Sequence, residues 1–253
     1  MPSACTSPKK PCEIAVGGLV PFTTVDFPGR LAAVVFCQGC AWRCGYCHNP
    51  ELRPARGAHQ IAWAEVLAFL ERRRGLLDAV VFSGGEPTQQ RGLAAAMREV
   101  KAMGFLVGLH TAGIVPRRLA EVLPLADWVA MDAKASFADH QAVTGVRGSA
   151  RRAQRSLDLI LASGVAREIH TLATGHLATN SAAASNAPCS SAAPIVARIA
   201  GSSAAGRNAL RASARAALNA GKAAASAASA SAGSAPATTA PMSHAYAAIA
   251  ITG

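Results

Sequence analysis

Residues 31–50 read Leu31-Ala-Ala-Val-Val-Phe-Cys37-Gln-Gly-Cys40-Ala-Trp-Arg-Cys44-Gly-Tyr-Cys47-His-Asn-Pro50. The first seven are a short apolar run of strand length. Four of the seven cysteines of the chain then fall within eleven residues. Disulfides require separated, suitably oriented Cα atoms and favour oxidising compartments, so a cluster this tight reads as a metal site. Cys5, Cys12 and Cys189 stand alone and receive no role.

Outward from this loop the chain alternates between strand and helix. Residues 61–77 place Trp63, Val66, Leu67 and Leu70 at i, i+3, i+4 and i+7, which predicts a helix with one buried face. A strand over 78–83 ends at Gly84-Gly85. Leu93, Met97 and Val100 line a second helix that Gly104 caps. A strand over 105–110 follows, then a helix carrying Val115, Leu119, Val122 and Leu123, stopped by Pro124. Residues 127–132 read as a strand, Leu157, Ile160 and Leu161 as the buried face of a helix, and 165–172 as a fifth strand. This recurrence implies an α/β fold with parallel strands and right-handed crossovers, either an open sheet or a partial (β/α) barrel. Both arrangements put function at the carboxyl ends of the strands. There lie the cysteine loop, Ser83-Gly84-Gly85-Glu86-Pro87, His110-Thr111 and Asp132-Ala133-Lys134.

Composition changes near residue 170. All 14 acidic residues lie at or before Glu168, whereas five Arg and Lys residues continue beyond it. The first 168 residues carry a net +6 and the remainder +5, giving the total of +11. No basic stripe interleaves with aromatics, so nucleic-acid binding is not expected. Residues 173–253 are dominated by Ala, Ser, Gly, Pro and Thr and lack the apolar content to offset chain entropy, so a disordered, low-complexity tail is expected. The abruptness also suggests an out-of-frame translation of a GC-rich gene, which resequencing tests; the alternative is a genuine disordered tail. The expected organisation is a disordered N-terminus over 1–13, a folded unit over 14–172 and the tail. No uninterrupted apolar run reaches about 18 residues, and residues 1–13 have no apolar signal segment, so a cytoplasmic protein without a membrane span is expected.

The last three cysteines of the loop follow C-x3-C-x2-C. Structural zinc would recruit Cys37, Cys40, Cys44 and Cys47, but zinc ribbons pair two knuckles a dozen or more residues apart. A ferredoxin cluster uses C-x2-C-x2-C with a distant fourth cysteine. Three close thiolates on one face of an iron–sulfur cubane would leave one iron free to bind a reactant.

C-x3-C-x-aromatic-C followed by His48-Asn49-Pro50 resembles the radical S-adenosylmethionine (SAM) superfamily. Thr24-Val25-Asp26-Phe27-Pro28-Gly29-Arg30 through Pro50 resembles the glycyl-radical-enzyme activating proteins, in particular those that serve anaerobic ribonucleoside-triphosphate reductases. The likeness spans about residues 14–170. It implies a radical SAM partial barrel, here with four firm strand–helix units and a fifth against the six of relatives, and hence impaired folding or activity. It implies a 4Fe–4S cluster on Cys40, Cys44 and Cys47, with Cys37 a neighbour. It places Tyr46 near the cofactor adenine, Gly84-Gly85-Glu86 at the methionine amino group, and Asp132 and Lys134 near the carboxylate and ribose. Asp26 is a candidate substrate-side group. His110 stands where relatives often carry an acidic residue or another polar group, and it reads better as a satisfied strand-end polar group. The implied reaction is reductive cleavage of SAM to a 5′-deoxyadenosyl radical that makes a glycyl radical on a partner reductase, with flavodoxin or ferredoxin as electron donor. Alternatives are a radical SAM enzyme with another substrate and a non-catalytic iron–sulfur or zinc module.

Overall fold

A computed structural model of the chain describes residues 14–171. The expectations for 1–13 and 173–253 lie outside these residues. The order is β1 (Val16–Thr23), β2 (Ala32–Cys37), α1 (Trp63–Glu71), β3 (Ala79–Gly84), α2 (Leu93–Ala102), β4 (Leu106–Thr111), α3 (Pro116–Val122), β5 (Trp128–Ala133), α4 (His140–Thr144), α5 (Ser149–Ser163) and β6 (Ala166–Thr171). The six strands lie side by side in chain order. β2 to β6 are parallel, in register from Ala32↔Ala79 to Ala133↔Thr171.

The sheet is mixed rather than purely parallel, because β1 pairs antiparallel with β2. The sequence pattern gave no strand there. Gly17, Gly18 and Pro21 interrupt any apolar alternation, and the register shifts twice, between Val16 and Gly18 and between Val20 and Thr23. Such residues are tolerated at a sheet edge. The helix expected over 61–77 is confined to α1, and the segment after it turns through Gly75, which takes a left-handed φ of 74°. The helix before Pro124 gives way to a 3₁₀ turn over Leu123–Leu125, which tolerates the proline. The expected fifth strand is β6.

Both faces of the sheet are covered, which is why β2, β3 and β5 read as continuous apolar runs. On one face, Val66 and Leu70 of α1, Leu93, Met97 and Val100 of α2, Leu119 of α3, and Leu157 and Ile160 of α5 pack onto Val35, Phe82, Leu109 and Met131. On the other, Ala32, Val34, Ala79, Val81, Trp128 and Ala130 are covered by Phe27 from the loop after β1. The Phe27 and Trp128 rings lie 5.4 Å apart. Gly108 makes room for this plug, since a Cβ there would sit 3.0 Å from Phe27 Cδ2 and 2.9 Å from Val81 Cγ2.

Candidate active site

The carboxyl ends of β2 to β6 surround a cavity of about 270 Å³. Cys40, Cys44, Cys47, Tyr46, Gly84, Gly85, Asp132 and Lys134 all line it, as do Trp42, Ser83, His110 and His170. Cys37 does not. It is fully buried at the end of β2, facing Val16 and Gly84 in the sheet. Burial, aided by the Glu86 carboxylate, holds its thiol far above the usual range.

The cysteine loop is gripped by the segment that follows β3. Gly85 N–H donates to Cys37 O and Glu86 N–H to Gly39 O, both at 2.9 Å. Ala41 N–H donates to Gln89 Oε1 at 2.7 Å, and Gln90 Nε2–H donates to Gln38 O. Gly84 and Gly85 are needed for this approach. A Cβ on Gly85 would lie 2.5 Å from Gly39 O and 2.7 Å from Leu52 O, and Gly84, with φ of 109°, would collide with the Cys37 backbone. From the other side, Gly39 N–H donates to Leu52 O (2.7 Å) and Cys40 N–H to Arg53 O (3.0 Å).

Glu86 lies beneath the cavity rather than in its lining, with none of its surface exposed. Its Oε1 accepts from Thr88 N–H (3.0 Å), Thr88 Oγ1–H and Thr111 Oγ1–H (2.6 Å), and its Oε2 from Ala112 N–H (2.8 Å). Burial raises its carboxyl above the ordinary value, and those four donors pull the other way. The carboxylate thus ties the ends of β3 and β4 together, and the cavity-facing part of this motif is Gly84-Gly85.

Asp132 and Lys134 form an ion pair on the cavity wall. Burial works against the ammonium, but the Asp132 carboxylate more than offsets it, and Lys134 titrates above its ordinary value. Tyr46 O–H donates to Lys134 O at 2.7 Å, and the Lys134 ammonium lies 5.9 Å from the Tyr46 ring centre. The loop is therefore also pinned to the end of β5. Burial pushes the Tyr46 phenol up.

His110 is well satisfied. Its Nε2 lies 3.0 Å from Asp26 O, which can only accept, so Nε2 carries the proton; Nδ1 faces Ser83 Oγ at 3.5 Å. Its ring packs edge-on to Trp128 at 5.3 Å, and burial keeps it neutral. The Asp26 carboxylate accepts from Thr23 Oγ1–H at 2.5 Å and does not line the cavity. His170, which no motif marks, faces Glu168 Oε1 at 3.1 Å on β6.

Among the described residues, no three His, Cys, Asp or Glu side chains converge on a point that would hold a single ion. A cubane needs no such convergence, because each thiolate binds a different iron. The donor set fits one: three cysteines of one braced loop facing a shared cavity. Burial pushes the Cys40 thiol up to about 11 and raises Cys44 as well. Iron would bind by displacing their protons, its positive charge favouring the thiolates.

Fold and loop together define an α/β enzyme scaffold with a three-thiolate centre at the carboxyl ends of its parallel strands. Residues 34–181 match the Radical SAM superfamily, more than half of the chain, and the chain belongs to that superfamily. It thereby belongs to enzymes that use a 4Fe–4S cluster and SAM. A Methanocaldococcus jannaschii protein named as a glycyl-radical enzyme activating enzyme is 37% identical over 127 residues, covering 48% of this chain and 51% of its own length. The pyruvate formate-lyase-activating enzyme of Clostridium pasteurianum is 36% identical over 115 residues, covering 44% and 48%. The pyruvate formate-lyase 1-activating enzyme of Escherichia coli K12 is 32% identical over 132 residues, covering 49% and 53%. The chain thus spans about half the length of these relatives. Among solved structures, Streptococcus suis SuiB bound to S-adenosylmethionine aligns at 15% identity and a TM-score of 0.44, covering 53% of this chain and 32% of that one. No helix among the described residues is long and apolar enough to cross a membrane.

Proposed function

We propose that this chain is the core of a glycyl-radical-enzyme activating enzyme, with residues 14–172 as its radical SAM unit and an anaerobic ribonucleoside-triphosphate reductase as its partner. One observation carries the reading: Cys40, Cys44 and Cys47 line a single cavity with Gly84-Gly85, Asp132 and Lys134. The names borne by the relatives support the activase class.

Cys40, Cys44 and Cys47 would hold the 4Fe–4S cluster, which together with bound SAM supplies one-electron reductive cleavage of a sulfonium bond. The chain's own residues position and shield. The ammonium of Lys134 offers a point charge to a carboxylate. Asp132 keeps that ammonium charged and provides an acceptor for hydroxyl groups. The Gly84-Gly85 backbone lines the part of the cavity where an amino-acid end group would sit. Tyr46 covers the loop with its ring, and His110 and Ser83 line the same cavity. The electron donor in this reading is flavodoxin or ferredoxin.

Anaerobic reconstitution tests the proposal. Iron and sulfide near four per chain, with 5′-deoxyadenosine released on adding dithionite and SAM, is the expected result. Tightly bound zinc without product refutes it. Paramagnetic resonance after mixing with the reductase, and separately with pyruvate formate-lyase, identifies the partner by which one acquires a glycyl radical.

A further inference from the structure

Trp42 sits between two of the cavity cysteines, and α4 packs against it from outside the cavity. The Trp42 and His140 rings meet edge-on with centroids 4.8 Å apart. The next residue is tied to the same short helix, since Arg43 N–H donates to Thr144 O at 2.8 Å. Trp42 is 1% exposed and His140 0%. Trp42 Nε1 and His140 Nε2 are both buried and have no hydrogen-bond partner among the described residues.

Proton counting around His140 fixes what each orphan is. Three contacts share three polar groups: Thr144 Oγ1 to His140 O at 2.7 Å, Thr144 Oγ1 to Ser149 Oγ at 2.8 Å, and Ser149 Oγ to His140 Nδ1 at 3.0 Å. Thr144 and Ser149 own one hydroxyl hydrogen each. The carbonyl of His140 can only accept, so the Thr144 hydrogen goes there. The Ser149 hydrogen then serves Thr144 Oγ1, and the third contact requires a hydrogen on His140 Nδ1. Burial holds the ring neutral. Nε2 is therefore a bare lone pair, and Trp42 Nε1 is an unpaired donor on the ring it touches.

We infer that Trp42 and His140 form a donor–acceptor pair, with indole Nε1–H linked to imidazole Nε2 through one enclosed water, and that this pair makes His140 a positioning residue for the cysteine loop. Pairing satisfies both buried atoms at once. Directing the indole N–H to a cluster sulfide instead would leave the His140 lone pair unsatisfied, since His140 does not reach the cavity. The consequence is mechanical: α4 fixes the backbone between Cys40 and Cys44. This inference uses the cluster only as a reporter, so the tautomer can be tested whatever the enzyme acts on.

The test uses the full chain. Nitrogen-15 correlation spectra of the histidine-labelled protein, in the apo and the oxidised reconstituted forms, report the His140 tautomer; a protonated Nδ1 is expected, and a protonated Nε2 overturns the inference. Cluster loss to a chelator gives the second readout. His140→Phe keeps the ring and removes the acceptor. Trp42→Phe keeps a ring and removes the donor. Each should hasten loss by about five- to tenfold, the scale of one net hydrogen bond. The double variant should be no faster than either single one. His140→Gln, which restores an acceptor near Nε2, should recover part of the difference. Wild-type behaviour in His140→Phe, or multiplying effects in the double variant, overturns the pairing. So does a shift of cluster potential in Trp42→Phe that His140→Phe does not share, which would assign the indole N–H to the cluster.

Discussion

Replacing Gly85 by alanine tests how the site is assembled. Gly85 does not adopt a left-handed φ, so alanine meets no backbone penalty and the effect is steric. Its Cβ would lie 2.5 Å from Gly39 O and 2.7 Å from Leu52 O, and ordinary contact begins near 3.4 Å. Relief therefore needs a displacement of about 0.9 Å, and both obstacles are backbone oxygens that cannot rotate away. Moving Gly39 O outward breaks its bond from Glu86 N–H, and Cys40 follows Gly39 directly. Overpacking costs about 1–3 kcal/mol and a lost hydrogen bond about 1. The sum of about 3 kcal/mol corresponds to a fall in melting temperature of roughly 6–12 °C for a chain of this size. Thermal melts of the apo protein measure the first effect, and iron and sulfide after anaerobic reconstitution measure the displacement of Cys40. Gly45→Ala is the control, because nothing lies within 4 Å of a Cβ at that point of the same loop. A Gly85→Ala protein that melts and loads iron like Gly45→Ala would refute the reasoning.

Three further outcomes are expected. Cys37→Ala should retain iron and the cluster absorption after reconstitution, whereas Cys40→Ala, Cys44→Ala and Cys47→Ala should each lose them, because Cys37 is sealed in the sheet. Glu86→Gln should destabilise by about 2–4 kcal/mol in denaturant titration, because an amide nitrogen replaces one of two oxygens that accept from buried donors. His140, brought from 6.5 down to about 4 chiefly by burial, with Asp132 opposing and Lys134 assisting, contributes stability that is present above 6.5 and lost as pH falls toward 4. Its loss amounts to about 3 kcal/mol across that window, seen as a flatter pH dependence of the apo melting temperature in His140→Gln.

The parallel strands were legible because burial on both faces forces uninterrupted runs such as Ala79-Val-Val-Phe82. The helices were legible through the spacing of Trp63, Val66 and Leu70, or Leu157, Ile160 and Leu161. β1 was not, because Gly17, Gly18 and Pro21 break its apolar alternation, as an edge strand tolerates. α4 has only five residues, too few to display a helical period. In the site, the cysteines and their neighbours were announced by local spacing. Glu86 was announced as a ligand group, yet the fold makes it a clamp, since its partners Thr111 and Ala112 stand 25 and 26 residues away. His170 had no signal at all, being one polar residue on a late strand.

The loop after β1 joins two tasks in adjacent residues. Phe27 seals the underside of the sheet, while the carbonyl of Asp26 sets the orientation of His110 on the cavity wall. The rim of the molecule is thereby geared to its interior: a partner that tugged this loop outward would unplug the floor and release the imidazole in a single movement.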